Sequence, residues 1–186
     1  SQELQIWSAF IKNACGNIID DKAYLLESRL SQIVNELNCS SWMDLYSKVR
    51  NDIGGTLKRK VINAITTNET SFFRDTAPFE MLKFKILPDL IDKRKKQSVP
   101  GADIPIRIWS AACSTGQEAY SVAMILQELG ASPLEYRITA TDISRSAVEA
   151  AQRGCYSRFE VDRGVPPHLL QRFFLSTPNS WQILDT

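Results

Sequence analysis

The sequence has 186 residues, 44% hydrophobic and 23% charged, with Lys+Arg at 22, Asp+Glu at 21 and a single histidine, His168. These figures exclude a mainly disordered chain, give no electrostatic case for binding nucleic acid, and rule out a multi-histidine metal site; no metal is expected. Cys15, Cys39, Cys113 and Cys155 share no CxxC-type spacing, no apolar run approaches the roughly 18–20 residues of a membrane span, and SQELQIWSAF lacks the basic-then-apolar order of a signal peptide. Reduced thiols in a cytoplasmic protein fit better than a disulfide scaffold. The length allows one large domain or two small ones.

The first third reads as helical. Trp7, Phe10, Ile11 and Ala14 fall on one helical face, and Gly16 stops that helix. Leu26, Leu30, Ile33 and Leu37 repeat the pattern. Ser41, with Asp44 three residues on, is a candidate N-cap for a helix carrying Trp42, Leu45, Tyr46 and Val49. Gly54-Gly55 breaks the chain, and Leu57, Val61, Ala64 and Ile65 mark a fourth helix. Residues 1–66 are therefore expected to form a small helical bundle.

ITTNETSFFRD (65–75) has too many β-branched and polar residues to continue a helix comfortably. Pro78 suits the first turn of the next helix, FEMLKFKILPDLIDKRKK, and Pro88 predicts an end or kink near Ile86. The basic run Lys93–Lys96 is expected as a solvated helix end, leading into a loop, QSVPGADIP.

The character then changes. IRIWSA (106–111) reads as a buried strand, 117–129 as a helix stopped by Gly130, and YRITATD (136–142) as a second strand. A helix capped by Ser144 and ended by Gly154 follows. Strand and helix alternating through short connections predict a parallel sheet. In the tail, PPHLLQRFF predicts a short helix and WQIL a strand.

Open parallel sheets bind ligands beyond the C-terminal ends of their strands. Here the first strand runs through the small-residue turn ACSTGQE straight into a helix, and the second ends in Asp142. Asp142 either accepts hydrogen bonds from a ribose diol or caps the following helix. Glu118 is either a ligand-facing carboxylate or a solvated first-turn acid. A dinucleotide site wants GxGxxG, with its pyrophosphate on the helix N-terminus. This turn has only Gly116, and Glu118 would repel a pyrophosphate. S-adenosylmethionine (SAM), cationic and without phosphate, suits it better. Cys113 reads as a small turn residue rather than a nucleophile.

ITTNETSFFRD (65–75), RIWSAACSTGQEAYSVAM (107–124) and ITATDIS (138–144), followed by AAQRGCY (150–156), closely resemble the bacterial chemotaxis receptor glutamate methyltransferases, the CheR family. The resemblance implies an α/β fold: an all-α N-terminal domain (1–66), a linker and connecting helix (67–105), and a partial Rossmann-like SAM-dependent methyltransferase domain (106–186). A small β-subdomain would begin near 173–186. It implies transfer of a methyl group from SAM to glutamate side chains on the cytoplasmic helices of chemoreceptors, leaving S-adenosylhomocysteine.

By the same resemblance Asn68, Thr70, Arg74, Ala112, Glu118 and Asp142 hold the cofactor. Asp142 takes the ribose and Glu118 the methionine end, and Arg74 also orients the acceptor carboxylate as the catalytic residue. Lys58, Arg59 and Lys60, with Lys48 and Arg50, are candidates for docking the acidic substrate or form an ordinary solvated face. Phe72 and Phe73 are expected in interdomain packing. The family's later blocks do not occur in this sequence, so the expectation is either a C-terminally truncated piece of a longer protein or a chain whose missing surface another chain covers, with weak SAM binding and no activity when alone. FFLSTPNSWQI has no glycine, so no receptor-pentapeptide tether is expected. A non-catalytic SAM-sensing or protein-docking module is the alternative; an NAD-dependent oxidoreductase is a further one, against which the absent glycines count.

Overall fold

A computed structural model describes residues 2–19, 23–97, 105–132 and 135–184. Most of the loop expected at 97–105 lies outside the described residues. The chain divides into two compact units, one of residues 1–67 with 143–146 and one of 68–142 with 147–186.

The first unit is helical: α1 (Gln2–Cys15), α2 (Ala23–Glu36), α3 (Trp42–Asn51) and α4 (Thr56–Ile65). Its core is the set that helical periodicity selects, with Trp7, Ile11, Leu26, Leu30, Ile33, Leu45, Val49, Val61 and Ile65 buried together. Each such side chain contributes roughly 1.5–3 kcal/mol by leaving water. Trp7, Phe10 and Tyr46 meet edge to face, with centroids 5.6 to 5.8 Å apart. Ser41 caps α3, its Oγ accepting from the Asp44 amide at 3.1 Å. The Asp44 carboxylate accepts from the Ser40 amide at 3.0 Å, so the returning arm of the cap reaches one residue further back than in a capping box.

The second unit opens with α5 (Thr76–Met81), a π-helical turn (Leu82–Ile86) and α6 (Leu87–Gln97). The helix therefore does not end near Ile86. The π turn changes the hydrogen-bond register, with the Leu87 amide donating to the Leu82 carbonyl, so that Pro88 sits inside a continuous helix. The apolar spacing demands this turn. Phe79, Leu82, Leu87 and Ile91 all pack on the cluster around Ile125 and Leu126, and the five-residue step from 82 to 87 suits a π turn, not an α turn.

β1 (Ile106–Ala111), α7 (Gln117–Glu128), β2 (Tyr136–Thr141) and α8 (Arg145–Arg153) follow in the expected order, but β1 is not the buried strand expected: of its residues only Ile106 is buried, and Trp109 is 71% exposed. β1 and β2 pair in parallel from Ile106↔Tyr136 to Ala111↔Thr141. The remainder is β3 (Cys155–Tyr156), α9 (Arg158–Asp162), α10 (Pro167–Phe173), β4 (Phe174–Ser176) and β5 (Trp181–Ile183). β3, β5 and β4 form an antiparallel sheet in that order, so this sheet reaches back to Cys155, well before 173. Phe72 packs inside this unit, 4.9 Å from Tyr156 and 5.5 Å from Phe174 between ring centroids. Among the described residues, no helix is long and apolar enough to cross a membrane, and no cluster of His, Cys, Asp and Glu suits a metal.

Candidate active site

Two irregular segments of the second unit meet at the C-terminal end of β1. One is the turn from Ala111 to Gly116, the other the stretch from Asn68 to Asp75. Both use left-handed backbone at residues with side chains: Ala112 (φ 59°) and Ser114 (φ 50°) in the first, Phe73 (φ 50°) and Asp75 (φ 54°) in the second. Such conformations cost about 1–3 kcal/mol each and persist where the surroundings enforce them.

The enforcing contacts are on hand. The Ser114 amide donates to Asp142 Oδ2 at 2.7 Å, and the Ser114 hydroxyl to the Asn68 carbonyl at 2.8 Å. The Cys113 amide donates to the Thr141 carbonyl at 2.9 Å. The Tyr156 hydroxyl donates to the Thr115 carbonyl at 2.8 Å. The Ser121 hydroxyl accepts from the Phe73 amide at 3.0 Å and donates to the Gln117 carbonyl at 2.7 Å. Gly116 has φ 95°, and a Cβ there would lie 2.8 Å from the Ala151 Cβ, so only glycine fits. Gly164 is equally confined, since a Cβ would sit 2.1 Å from the Phe72 carbonyl oxygen.

The structure thus brings Asn68, Ala112 and Asp142 to one place, through Ser114. Arg74 and Glu118 line a common open depression of about 560 Å³ beside β1, with Trp109, Ser110 and Ala111. Glu118 is in the first turn of α7, where a carboxylate complements the helix dipole. Arg74 is exposed, and one arm of its guanidinium donates to the Glu69 carbonyl at 2.7 Å. Thr70 is distinctive: its Oγ1 is the buried side-chain polar atom without a hydrogen-bond partner among the described residues. A buried, unsatisfied hydroxyl costs about 1–3 kcal/mol, and a ligand that bonds it removes that cost.

Lys58, Arg59 and Lys60 are on α4 of the first unit, all exposed. Successive helix residues are about 100° apart, so the three do not share a face. Lys60 is ion-paired with Glu36, and Arg59 donates to Thr56 Oγ1 at 3.0 Å. Lys48 is paired with Asp44 at 3.4 Å.

Burial, reinforced by the Asp142 carboxylate, pushes the Cys113 thiol up, which disfavours the thiolate form a nucleophile needs. Burial also pushes the Tyr156 phenol far above its ordinary value, which keeps it a donor to Thr115. Ser121, Tyr156 and Gly164 carry the site's geometry yet escape a sequence reading, and Ser114 is read only as one small residue of the turn. The signal for Ser121 and Tyr156 is only that small and aromatic residues recur in the blocks at 107–124 and 150–156; Gly164 lies in neither block.

The description "CheR methyltransferase, SAM binding domain" matches residues 68–186, and "CheR methyltransferase, all-alpha domain" matches residues 2–66. The chain belongs to the CheR methyltransferase family. It is 38% identical to chemotaxis protein methyltransferase 1 of Pseudomonas aeruginosa, over 97% of this chain and 66% of that protein. It is 39% identical to a chemotaxis protein methyltransferase of Vibrio parahaemolyticus, over 93% of this chain and 62% of that protein. A Vibrio cholerae relative, chemotaxis protein methyltransferase 1, is 38% identical over the same shares, 93% and 62%. The chain spans slightly less than two thirds of the length of these relatives.

The cofactor of the CheR domain is SAM, and the residues present fit it. The unpartnered Thr70 hydroxyl asks for a polar ligand atom. The acid at the start of α7 suits a cation where a dinucleotide would put its pyrophosphate.

Proposed function

We propose that this protein transfers a methyl group from SAM to side-chain carboxylates of glutamates on the cytoplasmic helices of chemoreceptors. It would do so in the cytoplasm, as a protein-glutamate O-methyltransferase. What supports this reading is an acid at the start of α7, Glu118, and another just past β2, Asp142, in a chain whose relatives are named chemotaxis protein methyltransferases.

When bound, SAM supplies an electrophilic methyl group. Asp142, held by the Ser114 amide, accepts from the ribose hydroxyls. Glu118 pairs with the cationic end of the methionine portion. Ala112 offers backbone, and Asn68 and Thr70 close the site from the other segment. Arg74 orients the acceptor carboxylate, for which its planar fork is well shaped. A glutamate with an ordinary pKa near 4.3 is already ionised at neutral pH, so no general base is required. The chain's task is alignment and exclusion of water.

Lys58 and Arg59, exposed on α4, are the residues proposed to meet the acidic receptor surface. Lys60 would have to give up Glu36 to join them. The β4–β5 connection is a tight turn from Thr177 to Ser180 without glycine, closed by the Thr177 amide on the Ser180 carbonyl at 2.8 Å. It supports binding of receptors without a C-terminal pentapeptide tether.

The test has two stages. The chain is titrated calorimetrically with S-adenosylhomocysteine, with NAD as control. The whole protein, rather than this chain by itself, is then incubated with methyl-labelled SAM and a receptor cytoplasmic fragment. Binding of the first ligand alone, and label released as methanol by alkali, are the expected results. No binding, or label that withstands alkali, overturns the reading.

A further inference from the structure

We infer that Ser114 is the positioning residue that holds the two segments of the cofactor site in register, acting as a latch between Asn68 and Asp142. The inference rests on the cofactor reading of the site above. It assigns Ser114 no contact with the cofactor.

Ser114 is 6% exposed and has φ 50°, a conformation that a serine adopts only under constraint. Both of its hydrogen-bonding arms are spent on residues from other segments. Its amide fixes one oxygen of Asp142, 28 residues on, at 2.7 Å. Its hydroxyl fixes the carbonyl of Asn68, 46 residues back, at 2.8 Å. The segment that follows Asn68 carries the unpartnered Thr70 hydroxyl and Arg74. A second hydroxyl, that of Ser121, holds the same segment five residues beyond Asn68, through the Phe73 amide at 3.0 Å. Ser114 and Ser121 are thus two side-chain pins through which the turn and α7 fasten an otherwise irregular stretch. Of the two, only Ser114 also touches the acid at the end of β2. The left-handed backbone is what lets one residue face both ways, because it turns the amide toward Asp142 while the side chain reaches Asn68.

The hydroxyl pin is removed in Ser114→Ala and in Ser114→Gly. Glycine suits φ 50°, so the second variant keeps the test alive where alanine fails to fold. Hydrogen exchange without cofactor is the first readout. Faster exchange across 68–74, the Phe73 amide included, with α2 and α4 unchanged, is expected. The second is the affinity for S-adenosylhomocysteine, which should fall about tenfold, the effect of losing one hydrogen bond. The third is a double-mutant cycle with Thr70→Val. If Ser114 acts by placing Thr70, the double variant loses clearly less affinity than the product of the two single losses. Exchange at 68–74 equal to wild type, or losses that multiply as independent effects, overturns the latch. Failure of the wild-type chain to bind S-adenosylhomocysteine instead overturns the cofactor reading, and the exchange measurement then decides the latch by itself.

Discussion

The helical unit and the paired segments 68–75 and 111–118 are built on opposite principles. In α1–α4 nearly every turn repeats a regular apolar face, and the one left-handed non-glycine residue, among those described, is Asn38 at a helix end. In the paired segments regular periodicity is gone. Left-handed backbone occurs at Phe73, Asp75, Ala112 and Ser114, and hydroxyls do the holding. The first region draws its stability from burial and is indifferent to any single polar group. The second is held in a costly conformation by a few directional bonds, which is how a site is kept ready for a ligand.

Replacing a residue of each kind should break the comparison in different ways. The largest effect is expected from Leu30→Ala, at a side chain with no exposure, which should cost about 2–5 kcal/mol in a denaturant titration. A cost under about 1 kcal/mol would mean that the helical faces do not close a packed core. Arg74→Ala should leave that titration unchanged, since the side chain is exposed, and slow methyl transfer about 100-fold, or ~2.7 kcal/mol; Arg74→Lys should recover only part. Thr70→Val separates stability from binding. Without cofactor it should raise the melting temperature, because a buried hydroxyl costing about 1–3 kcal/mol is gone, yet it should weaken S-adenosylhomocysteine binding. If both fall together, Thr70 is structural.

The smallest effect concerns Glu128. Burial pulls its carboxyl up, but hydrogen bonds from Lys83 at 2.9 Å and His168 at 3.1 Å outweigh this and leave it below the ordinary range. A carboxylate lowered in the folded state contributes stability that is fully present above its unfolded pKa of about 4.3 and is lost as pH falls through the folded value. From pH 5 to 3, wild type should lose stability that Glu128→Gln lacks from the start, a difference under about 1 kcal/mol. Equal slopes for the two would show that the pairs contribute nothing.

Periodicity made the helices legible, because burial imposes a period that the residues must follow, and short apolar runs between turn signals did the same for the parallel strands. IRIWSA and YRITAT became β1 and β2, and Trp7, Leu30, Leu45 and Val61 the helical core. The pair of residues in β3 is too short to show alternation, so the second sheet was legible only in its later strands. α9 was missed although Ser157 and Glu160 form a complete capping box, a signal that was there to be read. At the site, small residues in the turn announced a close approach. Which small residue holds what depends on segments 28 and 46 residues away, and no local pattern encodes that.

The π turn at Leu82–Ile86 bears on how this helix tolerates change in length. Removing one residue within it would restore ordinary α register there, with two consequences. Leu87 and Ile91 would rotate by about 100° relative to Phe79 and Leu82 and leave the cluster around Ile125. The Pro88 ring would meet a carbonyl one turn back that the wider turn now keeps out of its way. Elsewhere in a helix an extra residue is an error of phase. In this one it is the spacer that lets a proline and a continuous apolar face coexist.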